Sequence, residues 1–156
     1  MHFNLKIRRQ KDAAAPSFFQ TFVYEGEPGD SVAAVLIALN SRDVLKDKEG
    51  NPAGRIVWEC SCLQKKCGAC AMRINGLPRL ACSSFLGDLT KREKNVVLEP
   101  LSKFPIVSDL KVDRSVLFEN MKRMALWLEG DASSASWEYE KQYQSSRCLM
   151  LSLIHI

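Results

Sequence analysis

Apolar and polar residues alternate at the start of the chain, which is the period of a strand with one buried face. Phe3, Leu5 and Ile7 alternate with polar neighbours, and residues 17–24 are rich in Phe, Thr, Val and Tyr. We therefore predict two strands with a hairpin-like connection. Similar residues predict further short strands at 56–58, 71–74 and 96–98.

One helix is predicted between these strands. Its apolar residues recur at the spacing of a helix face: Val32, Val35, Leu36 and Leu39. Asp30 or Ser31 is expected to cap the helix, because a side-chain oxygen there can accept from a free backbone N–H. Asn75-Gly76 predicts a tight turn. Short strands wrapped around one helix predict an α+β roll.

The pattern changes after Pro105, where we predict a domain boundary. Asp113 or Ser115 is expected to cap a helix with apolar residues at helical spacing: Leu117, Met121, Met124 and Leu128. A polar helix is predicted at 137–147. The apolar face of the first helix would be an aggregation liability if exposed, so trimming near residue 105 is expected to give a better-behaved protein.

The overall composition is that of a folded soluble protein. The 156 residues are 46% hydrophobic and 26% charged, with a net charge of +4. The basic residues are not clustered as a nucleic-acid surface would require, so no nucleic-acid partner is expected. The start lacks the apolar region of a signal peptide, and no apolar run reaches the ~20 residues of a membrane span. A cytoplasmic location is expected.

Four of the six cysteines carry the clearest chemistry. In a reducing compartment a cysteine cluster indicates metal binding or catalysis rather than disulfides. The spacing C-x4-C-x2-C followed by a later cysteine is that of plant-type [2Fe–2S] clusters: Cys62, Cys67, Cys70 and Cys82. Two irons need four thiolates, two on each. Gly68 lets the backbone approach a cluster closely, because it has no Cβ.

These cysteines, and the residues around them, also allow other interpretations. Four thiolates also suit a structural Zn²⁺, although zinc sites usually pair two short C-x2-4-C knuckles and only Cys67 and Cys70 fit that spacing. Cys60 is either a spare ligand or, as we favour, a loop residue. Lys65 and Lys66 either steer an acidic partner or form a solvated loop tip. No nucleotide-binding or hydrolase motif is present, so substrate chemistry is not expected in this chain alone.

Two stretches of the chain have the form of family motifs. The first runs from Cys67 to Gly76, CGACAMRING, and is followed by Leu80-Ala81-Cys82; the second comprises residues 98–101 and 104–113. Both resemble motifs of the iron–sulfur subunits of succinate dehydrogenase and fumarate reductase. The segment before Cys67 departs from the commoner family form, which has an Arg-Glu-Gly run there; the ligand set is unaffected.

This resemblance implies a plant-type ferredoxin-like β-grasp domain over residues 1–105, holding a [2Fe–2S] cluster. It also implies that residues 106–150 begin a helical bacterial-ferredoxin-type domain, which in the family carries [4Fe–4S] and [3Fe–4S] clusters. Cys148 resembles the first ligand of the [4Fe–4S] motif, but the ligands expected after it are absent. We therefore expect a truncated chain, a non-native tail at 151–156 and no stable [4Fe–4S] cluster.

The resemblance also implies a role and partners. In the family, a flavoprotein subunit exchanges electrons between FAD and a dicarboxylate, and membrane-anchor subunits bind quinone. The chain is thus expected to relay electrons between FAD and quinone as a subunit of an oxidoreductase, peripheral on the cytoplasmic face of the inner membrane. Succinate oxidation and fumarate reduction share these features.

Three other protein classes share some of these features. The small subunit of a molybdenum hydroxylase has a similar first motif, but it needs a second set of cysteines, and residues 83–147 contain none. A free-standing plant-type ferredoxin should be acidic, whereas this chain is basic. A zinc-stabilised interaction module would be colourless, because the d shell of Zn²⁺ is full.

Overall fold

The structure is a computed structural model that describes residues 1–91 and 95–126. Its strands, in chain order, are β1 (His2–Arg9), β2 (Phe18–Glu25), β3 (Leu45–Lys46), β4 (Pro52–Ala53), β5 (Ala71–Ile74), β6 (Leu77–Leu80), β7 (Asn95–Glu99), β8 (Ile106–Ser108) and β9 (Lys111–Val112). Its helices are α1 (Val32–Asn40), α2 (Leu86–Leu89) and α3 (Ser115–Arg123), with a 3-10 turn at Ala81–Ser83.

Five of these strands form one mixed sheet in the order β2-β1-β7-β5-β6. β1 pairs with β2 as an antiparallel hairpin, with His2 opposite Glu25. On its other side β1 pairs in parallel with β7, with Asn4 opposite Asn95. β5 is antiparallel to both β7 and β6. β1 and β7, which are distant in sequence, are therefore neighbours in the interior of the sheet.

The core forms between this sheet and α1. In β1 the buried side chains are those at the odd-numbered positions, as the alternation predicts. Leu5 and Ile7 are fully buried, in one apolar cluster with Leu36 and Leu39 of α1. Ser31 caps the helix, because its Oγ accepts from the Ala34 amide at 3.2 Å. The predicted α+β class is confirmed, as are the predicted strands that became β1, β2, β5 and β7.

The predicted strand at 56–58 is wrong. Residues 54–58 belong to no strand. The Asn40 amide donates to Ile56 O and accepts from Ile56 N, both at 2.8 Å. The Asp109 carboxylate accepts from Val57 N at 2.9 Å. Side chains therefore hydrogen-bond to the backbone N–H and C=O groups that would otherwise pair with a neighbouring strand.

The first compact unit runs from Met1 to Asp113 and so extends past the boundary predicted near residue 105. β8 pairs with β9, and between them Asp109 is 4% exposed and forms an ion pair with Arg9 at 3.0 Å. The expectation that trimming at 105 gives a better protein is therefore revised, since the cut would remove a buried carboxylate. The division into domains by cluster content stays a prediction.

A second unit begins at Arg114. It contains α3, whose preceding residue is Arg114 and makes no side-chain capping bond, so the predicted cap at Asp113 or Ser115 is wrong. The predicted helix at 137–147 lies outside the described residues. Within 1–91 and 95–126, none of the helices has the length and apolar character needed to cross a bilayer.

Candidate functional site

The loop from Cys62 to Cys70 turns sharply between the core and β5. Leu63 and Lys65 have φ angles of 53° and 64°, and Gly68 has a φ of 73°. This left-handed backbone is uncommon for residues other than glycine and marks a loop held in a specific shape. Alternating right- and left-handed residues turn successive N–H groups toward one side, which makes a concave site for negative charge.

The sulfurs of Cys62 and Cys67 lie within this concave loop. Cys62 Sγ accepts from the amides of Gln64 and Cys67, both at 3.3 Å. Cys67 Sγ accepts from the amides of Cys62 at 3.4 Å and Ala69 at 3.5 Å. The backbone N–H groups of Gln64, Cys67 and Lys66 lower the pKa of the Cys62 thiol to about 6. The loop therefore favours a thiolate at Cys62.

Cys70 and Cys82 form a second pair in a different environment. Cys70 is 3% exposed and directly precedes β5. Cys82 follows β6 in the 3-10 turn, and the Ala81 amide donates to Cys70 O at 3.1 Å, which brings the two cysteines together. Burial raises the pKa of the Cys70 thiol to about 11, and the neighbouring Cys82 side chain also raises it. A positive charge, such as a metal ion, is needed to hold a thiolate there.

The backbone segment before the cysteine loop, residues 54–57, is here called the lead-in segment. Arg9 donates from one guanidinium nitrogen to Gly54 O at 3.0 Å and Arg55 O at 3.1 Å. Together with the bonds from Asn40 and Asp109, each of the four residues has a backbone group held by a side chain. A cavity of about 250 Å³ adjoins this network and is lined in part by Arg9, Asp109 and Val57.

The four predicted cysteines thus lie as two thiol pairs, which suits two irons with two thiolates each. A structural zinc ion needs four ligands around one point. Within the described part of the chain, no three His, Cys, Asp or Glu side chains converge on a position where they could hold one metal ion.

The remaining predicted residues are placed as follows. Cys60 is exposed, outside both thiol pairs. Lys65 and Lys66 are exposed, and Lys65 Nζ lies 5.7 Å from the centre of the Phe85 ring. Cys148 lies outside the described residues.

Three residues that hold the lead-in segment were missed from sequence: Arg9, Asn40 and Asp109. Arg9 did carry a detectable sign, because it continues the buried odd-numbered face of β1 with a charge, and a buried charge needs a partner. Asn40 and Asp109 gave no comparable sign. One ends a helix and the other lies 100 residues from Arg9.

Comparison with known protein families gives a match over most of the chain. The family described as the 2Fe-2S iron-sulfur cluster binding domain matches residues 4–119. All four predicted cysteines fall within the matched residues.

Similar curated proteins agree with this match. The succinate dehydrogenase iron-sulfur subunit of Bacillus subtilis (strain 168) is 32% identical over 127 residues, covering 81% of this chain and 48% of that protein. The fumarate reductase iron-sulfur subunit of Escherichia coli O157:H7 is 31% identical over 136 residues, covering 82% of this chain and 52% of that protein. The chain therefore spans about half the length of these curated relatives.

Among solved structures, a chain of the Mycobacterium smegmatis Sdh1 complex in the apo form has a TM-score of 0.67 and 20% sequence identity to this one. The alignment covers 96% of this chain and 59% of that chain. At this identity the likeness shows a shared fold.

Proposed function

The chain belongs to the 2Fe-2S iron-sulfur cluster binding domain family, and on this premise we propose that Cys62, Cys67, Cys70 and Cys82 hold its [2Fe–2S] cluster. The observation that carries the assignment is the arrangement of these thiols in two pairs. The Cys62–Cys67 pair would hold one iron at the exposed loop, and the Cys70–Cys82 pair would hold the other beside the core.

The chemistry that such a cluster supplies when bound is the transfer of single electrons. The chain's own groups prepare the site for it. The amides of Gln64 and Cys67 point at the Cys62 sulfur, and donors of this kind raise the reduction potential by stabilising added negative charge. Cys70 is buried, so water is excluded from its side of the site. Burial disfavours the added negative charge and so lowers the reduction potential, whereas the amide donors raise it. The potential would be set by the balance of these two effects.

We further propose that the fold is the β-grasp of plant-type ferredoxins, supported by a mixed sheet packed on α1 with the cysteine loop leading into β5. The complete protein would relay electrons between the FAD of a flavoprotein subunit and quinone in a membrane anchor, peripheral to the membrane. The names of the similar proteins support this role over that of a molybdenum hydroxylase. [4Fe–4S] and [3Fe–4S] clusters would belong to the second domain, where Cys148 stays a predicted ligand.

The test is to purify the chain anaerobically and to assay iron, acid-labile sulfide and zinc. We expect two irons and two sulfides per chain and, after dithionite reduction, a rhombic S = 1/2 electron paramagnetic resonance signal. Serine at any of the four cysteines should reduce or alter that signal, while Cys60→Ser, the matched control, should not. Stoichiometric zinc without iron would instead support a structural module.

A further inference from the structure

The lead-in segment is fixed by side chains from three distant parts of the chain. Arg9 lies at the end of β1, Asn40 at the end of α1, and Asp109 between β8 and β9. A segment held in this way has no strand neighbour to keep its register. Its path depends on a few side-chain contacts, each of which a single substitution can remove, and on one backbone hydrogen bond, from Leu110 N to Val57 O.

Asp109 connects the most groups in this network. Its Oδ1 accepts from Arg9 Nε and from the Gln10 amide, both at 3.0 Å, and its Oδ2 accepts from the Val57 amide at 2.9 Å. Its own amide donates to Gln10 O at 2.7 Å, and the amide of Leu110 donates to Val57 O at 3.0 Å. Both carboxylate oxygens are thus used, and the side chain is 5% exposed.

Asn40 also holds the backbone of the lead-in segment, at Ile56, one residue before Val57. Its amide group pairs with both backbone polar groups of Ile56, as a neighbouring strand would. Ile56 is 2% exposed, so these backbone groups have little access to water as a replacement partner. The contacts of Asn40 and Asp109 on adjacent residues fix the direction in which the chain leaves the core.

That direction matters because Val57 is only five residues before Cys62, so the span between them is at most ~18 Å at ~3.3–3.6 Å per residue. Trp58, the next residue, packs against the core. Only residues 59–61 separate Trp58 from Cys62, so little chain is available to absorb a change in the path of the lead-in segment. A shift there would move Cys62 relative to the amides of Gln64 and Cys67.

We propose that Asp109 and Asn40 are positioning residues for the Cys62–Cys67 half of the cluster site. They act through the lead-in segment and touch neither thiol of that pair. The Cys70–Cys82 half depends on the β5–β6 ladder instead and should not respond to them. The predicted effect on the cluster rests on the proposed function. The predicted effect on the shape of the loop applies to the apoprotein as well.

The apoprotein test is amide hydrogen exchange in Asp109→Asn and Asn40→Ala. We expect the amides of Gln64 and Cys67 to exchange roughly tenfold faster in both variants, since loss of a buried partner destabilises the closed loop. The amides of β5 should keep the wild-type rate. Asp88→Asn and Asn51→Ala are the matched controls, because both remove the same groups from exposed positions. This arm does not need a cluster.

The holoprotein test compares the same four variants by electron paramagnetic resonance and by iron loss to a chelator, under conditions where far-ultraviolet circular dichroism shows an intact fold. Altered g-values and roughly tenfold faster iron loss in Asp109→Asn and Asn40→Ala, with wild-type behaviour in the controls, are expected.

Wild-type exchange at Gln64 and Cys67 in both variants would overturn the proposal. So would uniform acceleration across β5 and the loop, which would indicate only a weaker fold. Asn40→Ala keeps the test decisive if Asp109→Asn fails to fold. Absence of a [2Fe–2S] signal in the wild type would refute the proposed function and leave the exchange result to decide this inference.

Discussion

The two ends of the cysteine loop are held in different ways. Before the loop, the lead-in segment is fixed by the side chains of Arg9, Asn40 and Asp109. After the loop, β5 is fixed by backbone hydrogen bonds to β6 and β7. Support by side chains can be lost through single substitutions, whereas support by a sheet is shared among many backbone groups.

The two thiol pairs also differ in their surroundings. The pair at the side-chain-held end has backbone amides directed at its sulfurs, and the Cys62 pKa is lowered. The pair at the sheet-held end includes buried Cys70, whose pKa is raised. The Cys62–Cys67 pair thus favours negative charge by itself, while the Cys70–Cys82 pair would need a bound cation to hold it.

Ending the chain after residue 105 removes Asp109 and with it the main support of the lead-in segment. We expect this change to lower the free energy of unfolding more than the other changes proposed below. Arg9 would lose its carboxylate partner, and loss of one member of a buried ion pair destabilises proteins by about 3–5 kcal/mol. Urea unfolding of chains ending after residue 105 and after residue 113 measures the difference. The longer form is the control, because it keeps the first compact unit whole. Equal free energies of unfolding would contradict the role of Asp109.

Ile74→Ala should weaken the support after the cysteine loop, where β5 pairs with β6 and β7. Ile74 is fully buried in β5, and truncation of such a side chain lowers the free energy of unfolding by about 2–5 kcal/mol. Leu77→Ala in the same hairpin is the control, because Leu77 is 54% exposed and should change stability by less than about 0.5 kcal/mol. In Ile74→Ala we expect iron loss to follow global unfolding. Iron loss well below the unfolding transition would show that the sheet end is as locally fragile as the lead-in end.

The pH dependence of thiol alkylation in the apoprotein sharpens the contrast between the two pairs. Cys62, with a pKa of about 6, should reach its maximal rate with iodoacetamide near neutral pH. Cys70, with a pKa of about 11 and little exposure, should resist until strongly alkaline pH. Mass spectrometry of digests resolves the two sites. Similar pH profiles at both cysteines would contradict the difference in their surroundings.

The same shifts have opposite consequences for the stability of the apoprotein. The Cys62 pKa lies below its ordinary value of 9.0, so its stabilising contribution is present above pH 9 and is lost as the pH falls toward 6. The Cys70 pKa lies above 9.0, so its contribution is present below pH 9 and is lost as the pH rises toward 11. Unfolding of Cys62→Ser and Cys70→Ser apoproteins between pH 6 and 11 should reveal each contribution separately.

Cys60→Ser should have the smallest effect. Cys60 is exposed, and a surface substitution usually changes stability by no more than about 0.5 kcal/mol. Iron content and the electron paramagnetic resonance spectrum should match the wild type, with Cys62→Ser as the contrasting variant. Loss of half the iron in Cys60→Ser would make Cys60 a ligand and revise the assignment.

Sequence patterns predicted the parts of the fold that depend on local periodicity. The alternation in β1 and the apolar face of α1 each identified an element, because burial of one face imposes that period. β6 was missed: it contains Pro78, which lacks a ladder donor and lowers the expectation of a strand. The segment 56–58 is apolar in the way a strand is, and its partners, Asn40 and Asp109, are set by the tertiary fold.

The site was predictable to a similar extent. Cysteine spacing identified four thiols as candidate ligands; the structure places Cys62 beside Cys67 and Cys70 beside Cys82, and their role as ligands stays a prediction. The two environments were not predictable, since the Cys62 pKa depends on the left-handed backbone at Leu63 and Lys65. Ordinary side chains at those positions give no sign of it. Nor could the spacing indicate that burial makes Cys70 a poor thiolate without metal.

The separation of Arg9 from Asp109 also affects how the protein is made. The two residues are 100 positions apart, and ribosomes add ~5–20 residues per second, so Arg9 waits roughly 5–20 s for its partner. All four thiols of the site, the last being Cys82, are synthesised within that interval. The nascent chain therefore contains all four cysteines before Asp109 is available to bind the lead-in segment. The hydrogen bonds of Asp109 to Arg9 and Val57 can form only after that.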